Sequence, residues 1–259
     1  MSEQNVLAEV KDRVLFLTLN RPKTLNLLDV QTRKDILRAL KDHRKNDGTR
    51  CVVVSARGEV FSAGADLNHL LKLNKTEAKA YTKFVRSILD YVESYPKPTI
   101  GVVEGLAVGG GLELLLALDI VLASPEAKFG LTELNVGLIP GGGGSQRLPR
   151  LVGIRKAKEM IFTGSLISAQ EALELRLVNR VVPKESLWEE VTQLCERIVL
   201  KSPLSLRVAK EAINETFYME LREGLDRENR MYPAVLTSEE ARERIRGFLE
   251  RRKSLQTKG

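Results

Sequence analysis

Two β-rich runs, Val6 to Val10 and Val14 to Leu19, are separated by Lys11-Asp12-Arg13 and predict an N-terminal hairpin. Arg21-Pro22 ends the second strand. From Leu25 to Lys45 the spacing turns helical, with Ile36, Leu37 and Leu40 on one face. Three later stretches share a plan of strand, glycine-bearing loop and helix. The first is Cys51 to Ser55, then Ala63-Gly64-Ala65, then a helix capped by Asp66 and running to Leu73. The second is Thr99 to Val103, then Gly109-Gly110-Gly111, then Leu112 to Leu118; the third is Ala127 to Leu131, then Gly141 to Gly144, then a helix from Ser145. An amphipathic helix from Glu77 to Ser94 lies between the first two and is stopped by Pro96 and Pro98. Such alternation predicts an α/β core with largely parallel pairing. From Ser202 onward the pattern is helical and charge-rich, so residues 1–200 read as the core and 201–259 as a helical C-terminal lobe.

Length and composition narrow the class. The chain has 259 residues, of which 43% are hydrophobic and 29% charged, enough to bury a core; disordered, collagenous and disulfide-scaffold classes are excluded. Its net charge of +7 suits a phosphate-bearing ligand or a nucleic acid without selecting either. The most apolar stretch, Ile100 to Ala123, carries Glu104, Glu113, Asp119 and five glycines, which reads as a buried segment and not a membrane span. Met1-Ser2-Glu3-Gln4 has no basic start followed by an apolar run. Cys51 and Cys195 stand far apart in sequence, which makes a reducing compartment the default. The expected location is cytoplasmic, with an organelle matrix as the alternative if a presequence has been removed.

Several chemistries lack their residues. With only His43 and His69 and no CxxC pair, a His/Cys metal site has no ligand set. Gly141-Gly142-Gly143-Gly144-Ser145-Gln146-Arg147 matches neither the dinucleotide nor the P-loop fingerprint, nor a GxSxG elbow. What remains is two glycine bends and two glutamates. A side-chain-free bend at Gly109-Gly110-Gly111 and a second turn at Ala63-Gly64-Ala65 let backbone N–H groups approach a ligand oxygen, and two such donors form an oxyanion hole. Glu113 follows one bend by two residues, and Glu133 sits between Phe129-Gly130-Leu131 and Val136-Gly137-Leu138. Two carboxyls in one pocket divide acid and base work when their environments separate their pKa values. Read from the residues alone, this is a carbonyl-polarising site with two carboxylates.

The same residues resemble the crotonase, or enoyl-CoA hydratase/isomerase, superfamily. The matching strings are Leu19-Asn20-Arg21-Pro22-Lys23, Phe61-Ser62-Ala63-Gly64-Ala65-Asp66-Leu67, Gly105 to Leu114, Phe129-Gly130-Leu131-Thr132-Glu133 and Ile139 to Leu148, in family order. The resemblance implies a crotonase-like α/β fold of repeated ββα units with a C-terminal helical trimerisation lobe. It also implies an acyl-CoA thioester substrate, no other cofactor, no metal, and a homo-oligomer, either a trimer or a hexamer built as a dimer of trimers. It assigns the Ala65 and Gly110 N–H groups to the thioester oxygen and Glu113 and Glu133 to catalysis, and retention of both glutamates points to hydration of a 2-enoyl-CoA. Lys23, Thr24, Ala63, Asp66, Leu67, Gly109, Pro140 and Gly141 fall on substrate and CoA-binding positions; Arg251 or Lys253 of a neighbouring subunit could also meet the CoA phosphates, although a solvated surface charge is the expectation for these two terminal residues. Tyr232-Pro233 departs from the pattern by interrupting a helical stretch. Two alternatives accompany this reading. One is a specialised member, a methylglutaconyl-CoA hydratase or an enoyl-CoA isomerase. The other is secondary RNA binding through Lys34, Arg38, Lys41 and Lys45, a basic stripe on one helix face.

Overall fold

The computed structural model describes the backbone of residues 4–256 and the side chains of residues 4–252. It divides into two compact units, Met1–Val199 and Leu200–Gly259. The first opens with the expected hairpin, β1 (Val6–Lys11) and β2 (Val14–Leu19). Asp12 and Arg13 both hold positive φ, 48° and 66°, the left-handed pair that lets a two-residue loop follow strand twist. Helix α1 (Val30–His43) starts five residues later than its spacing suggests. Leu25 and Asn26 are left-handed, and the Asp29 side chain accepts from the Thr32 N–H at 2.7 Å as the cap.

Next come β3 (Cys51–Ala56), β4 (Val60–Ser62), α2 (Leu67–Leu70) and α3 (Lys75–Glu93). A second unit of the same plan is β5 (Thr99–Val103), β6 (Leu106–Val108) and α4 (Gly110–Leu115). The third is β7 (Ile120–Ala123) and β8 (Lys128–Gly130), followed by a 3-10 turn at Glu133–Val136 and by α5 (Gly144–Val152). Helix α6 (Ile154–Thr163), β9 (Ile167–Ser168), α7 (Ala169–Glu174), β10 (Arg180–Val181) and α8 (Lys184–Val199) complete the unit. Helix α2 is one turn long and not two, and Gly110 and Gly111 belong to α4 instead of the loop before it.

Each ββα repeat gives one strand to each of two sheets. The larger runs β1-β2-β3-β5-β7-β10, parallel except at the hairpin; the smaller runs β4-β6-β8-β9, parallel except at its last pair. The central strands β3, β5 and β7 of the larger sheet are buried on both faces, which is why they read as unbroken apolar runs. Leu15, Leu17, Val52 and Val54 pack into one cluster with Ile36 and Leu40 of α1 and Val85, Leu89 and Val92 of α3. Their alternating neighbours Val14, Cys51 and Val53 face Leu187, Val191 and Cys195 of α8. There the two cysteines, far apart in sequence, share one buried cluster, and the neighbouring Cys195 thiol together with burial holds the Cys51 thiol above its usual range.

The second unit holds α9 (Pro203–Glu215), α10 (Leu221–Leu236) and α11 (Glu239–Gln256). Contrary to expectation, α10 runs through Pro233 without a break, giving up only the hydrogen bond that proline's nitrogen cannot make. Arg227 fixes α10 to α9 through Glu211 and Glu215 at 2.9 and 3.2 Å. Among the described residues no helix is long and apolar enough to cross a membrane.

Candidate active site

The three parallel strands β4, β6 and β8 lie side by side, so their C-terminal ends line one edge of the smaller sheet. From those ends leave the three segments that carry the candidate residues: Ala63–Asp66 after β4, Gly109–Glu113 after β6, and Leu131–Glu133 after β8. Ligands gather outside the carboxyl ends of parallel strands for this reason.

The first two bends touch. Gly64 has φ +90°, and a Cβ there would lie 3.0 Å from the Gly110 nitrogen and 3.1 Å from the Val108 oxygen, so only glycine fits the approach. A Cβ on Gly110 would in turn sit 3.7 Å from the Ala65 nitrogen. The Ala65 and Gly110 N–H groups are therefore neighbours, and neither finds an acceptor among the described residues. Gly110 is buried and Ala65 half-buried, so two adjacent N–H groups are left available to one external oxygen. The bend at Ala63 is stitched to the chain before α1: the Leu28 N–H donates to the Gly64 carbonyl at 2.8 Å and the Ala63 N–H to that of Leu25 at 3.0 Å.

The carboxyls flank this spot and differ in surroundings. Glu113 is 4% exposed, and its Oε1 accepts the N–H groups of Gly142 and Gly144 at 2.7 and 2.9 Å. The glycine run is thus the cradle of a carboxylate, not of a phosphate. Glu133 packs against the other bend, its Oε1 3.4 Å from where a Cβ on Gly109 would stand. Its Oε2 is buried without a hydrogen-bond partner among the described residues. Burial, with the Glu113 charge adding to it, pushes the Glu133 carboxyl up to about 7.

Residues expected to bind the rest of the substrate fall in two groups. Lys23 and Thr24 are exposed on a 3-10 turn (Pro22–Thr24). That turn is tied to Ala63 through Leu25, and Asp66 caps α2 by accepting from the Asn68 N–H at 2.9 Å, with Leu67 exposed beside it. Gly109 and the buried Pro140 adjoin the carboxyls, since Pro140 Cβ lies 3.0 Å from the Cβ position of Gly144; Gly141 is exposed. Arg251 is exposed in the second unit, whereas the Lys253 side chain lies outside the described residues. The basic stripe is shorter than its spacing suggests. Lys34, Arg38 and Lys41 are exposed on α1, with Arg38 paired to Asp35 at 3.0 Å, but Lys45 stands beyond the helix end.

Three supporting residues escaped the sequence reading. The Asn26 side chain, 1% exposed, accepts from the Arg21 N–H and donates to the Arg57 and Val60 carbonyls. Arg147 binds the Gly142 carbonyl at 3.0 Å and Asp90 and Glu93 of α3, fixing the glycine run over Glu113. Arg33, 3% exposed on α1, has its Nη2 2.9 Å from the Cβ position of Gly110. Its signal was available, because it stands three residues before Ile36 and seven before Leu40 on the apolar stripe. Among the described residues no group of three or more His, Cys, Asp or Glu side chains is placed to hold a metal ion.

Comparison with known proteins agrees with this architecture. Residues 9–258 match the enoyl-CoA hydratase/isomerase family. The chain is 34% identical to a crotonyl-CoA hydratase of Syntrophomonas wolfei, covering 98% of each. It is also 34% identical to a short-chain-enoyl-CoA hydratase of Clostridium acetobutylicum, covering 98% of this chain and 97% of that one. Among solved structures, an enoyl-CoA hydratase from Bacillus anthracis superposes with a TM-score of 0.90 at 36% identity, covering 96% of this chain and 97% of that one. With near-complete coverage in sequence and in structure, the chain belongs to the enoyl-CoA hydratase/isomerase family and has the crotonase fold.

Proposed function

We propose that this protein adds water reversibly and with syn geometry to a 2-enoyl-CoA, giving the 3-hydroxyacyl-CoA. By its family it is an enzyme, a hydro-lyase of the enoyl-CoA hydratase type. The observation that carries the finer reading is the meeting of two unpaired backbone N–H groups, Ala65 and Gly110, between two carboxyls in unlike surroundings. The N–H groups polarise the thioester carbonyl and make Cβ electrophilic, each donor contributing about 100- to 1,000-fold in rate. Glu113, whose Oε1 is an acceptor of two main-chain hydrogen bonds, takes the proton of the attacking water. Glu133, which keeps its proton to about pH 7, delivers it to Cα. Lys23 and Thr24 meet the nucleotide end of CoA, with Ala63, Asp66 and Leu67 beside them; Gly109, Pro140 and Gly141 border the acyl group.

Assembly into a homotrimer or hexamer is part of the proposal. In the unit Leu200–Gly259 large apolar side chains stay exposed, including Leu221 at 78%, Phe248 at 60% and Tyr218 at 72%, a pattern that partner surfaces cover. The decisive assay follows loss of the conjugated thioester absorbance of crotonyl-CoA, beside 3-methylglutaconyl-CoA and a 3-enoyl-CoA. Crotonyl-CoA turnover falling roughly 100- to 10,000-fold in Glu113→Gln and in Glu133→Gln is expected, the range for a general acid or base. Near-wild-type rates in either variant would remove that glutamate from the chemistry, and turnover of the 3-enoyl-CoA alone would make the enzyme an isomerase.

A further inference from the structure

A guanidinium buried in an apolar interior needs a reason, because burial penalises the charged form. Arg33 occupies the core-facing stripe of α1, where a leucine would pack without that penalty. Its Nε–H donates to the Leu28 carbonyl at 2.8 Å, and its other side-chain hydrogen bond among the described residues is to Tyr81 of α3. Three donors remain in a guanidinium with five. Its Nη2 lies 2.9 Å from the Cβ position of Gly110, hence no more than about 5 Å from the Gly110 nitrogen by bond geometry. The charged and titratable groups that face it are Tyr81, Glu113 and Asp29, and Glu133 faces Glu113 in turn.

We propose that Arg33 is a fixed positive charge behind the two oxyanion bends, stabilising the enolate oxygen of the substrate and offsetting the Glu113 carboxylate beside it. This rests on the reading of Ala65 and Gly110 as the thioester-oxygen site. Negative charge that grows on that oxygen during hydration stands next to a carboxylate that accepts from Gly142 and Gly144. Without a cation, the two negative charges would oppose each other beside the buried Glu113 side chain. At a separation of about 7 Å and an effective dielectric of about 20, one positive charge lowers the pKa of a bound enol by roughly 1–2 units. Arg33 acts through space and across the Gly110 backbone, so it is a positioning residue for charge and takes no part in proton transfer.

The test uses acetoacetyl-CoA, whose enolate absorbs in the near ultraviolet, titrated against pH while bound to the full-length protein. The titration is run in wild type, Arg33→Lys and Arg33→Met, each also in a Glu133→Gln background so that titration of Glu133 stays out of the reading. Arg33→Met is expected to raise the pKa of the bound probe by about 1–2 units and to lower kcat on crotonyl-CoA about 10- to 50-fold, with KM moving less than about threefold. Arg33→Lys, which keeps the charge, is expected to recover most of both. An unchanged probe pKa in Arg33→Met, or equal losses in the Lys and Met variants, would overturn the proposal in favour of a packing role. If the Met variant does not fold, Arg33→Lys carries the test, and a tenfold fall in kcat with the probe pKa unmoved overturns it. A wild-type protein that leaves the probe's pKa at its free value would instead refute the oxyanion-site reading itself.

Discussion

Glu133 offers the sharpest quantitative test. Its carboxyl is raised to about 7 chiefly by burial. The proposed reaction needs one proton shared between the two carboxyls, on Glu133 for hydration. At pH 7 a group of pKa about 7 is half protonated, whereas an ordinary glutamate near 4.5 would hold its proton in about 0.3% of molecules, a difference of roughly 150-fold in competent enzyme. Stopped-flow or steady-state measurement of kcat/KM for crotonyl-CoA should therefore show a plateau on the acid side of 7 and a tenfold fall per pH unit above it. Hydration moves no net proton, so the equilibrium constant is independent of pH and the dehydration direction must show the same limb. A profile flat from pH 6 to 9, or a limb near 4.5, would refute the assignment of Glu133 as proton donor. Stability supplies a check that needs no substrate. The folded protein keeps this proton to about pH 7, while the unfolded chain releases it near 4.5, so folding takes up a proton between those values. Native stability is thus lost as pH rises from 4.5 to 7, by on the order of 1–3 kcal/mol once solvent access is allowed for. Glu133→Gln should melt higher than wild type at pH 8 by a few degrees, and the gap should close by pH 5.

Other perturbations follow from the same geometry. A Cβ on Gly142 would come within 2.5 Å of the Glu113 Oε2 and 2.8 Å of a Leu89 methyl; Gly142→Ala should displace the carboxylate, lower kcat at least tenfold, and cost about 1–3 kcal/mol in urea unfolding. Asn26→Ala deletes one acceptor and two donor contacts of a buried side chain and should destabilise by about 2–4 kcal/mol, with KM rising as the Lys23 turn loosens. Lys23→Ala should raise KM for crotonyl-CoA several-fold while leaving kcat within about twofold, and the difference should shrink at high salt, as expected for an exposed charge facing a phosphate.

Legibility tracked how local each physical cause was. The hairpin, α3 and the first central strand could be read because their signals lie within a few consecutive residues: the apolar stripe of α3 ends at Pro96 and Pro98, and Cys51 to Val54 is uniformly apolar. Of the smaller sheet's parallel strands, β8 lies within the extended run Ala127 to Leu131, whereas β4 and β6 were invisible as strands. At three residues each they are too short for a period of two to register, yet they set the edge on which the site is built. Gly110 and Gly111 read as loop from propensity, but they are helical because a Cβ on Gly111 would lie 2.6 Å from the Ser62 carbonyl oxygen; tight packing on β4 decides there. Asn26 and Arg147 act across separations of up to 57 residues, and the Arg33–Gly110 and Cys51–Cys195 contacts span more. No window on the sequence contains both partners of such pairs.

The proposed division of labour between the two carboxyls has its physical basis in where the repeats end. Both glutamates come from equivalent junctions, one after β6 and one after β8, and periodicity and spacing do not separate their roles. The difference comes from a third segment. Gly142 and Gly144, held down by Arg147 on α3, direct two N–H groups at Glu113 Oε1, while Glu133 Oε2 meets none among the described residues. In the proposed reaction the two main-chain donors fix the Glu113 carboxyl in place beside the attacking water, while the Glu133 carboxyl, raised to about 7 by burial, keeps a proton until Cα takes it. The placement of Glu113 is therefore a property of the glycine run and its arginine anchor. It follows that Arg147→Met, which touches neither carboxyl, should release the glycine run, displace the Glu113 carboxyl and lower kcat with little change in KM. A drop in KM-governed binding alone would place Arg147 outside this chain of contacts.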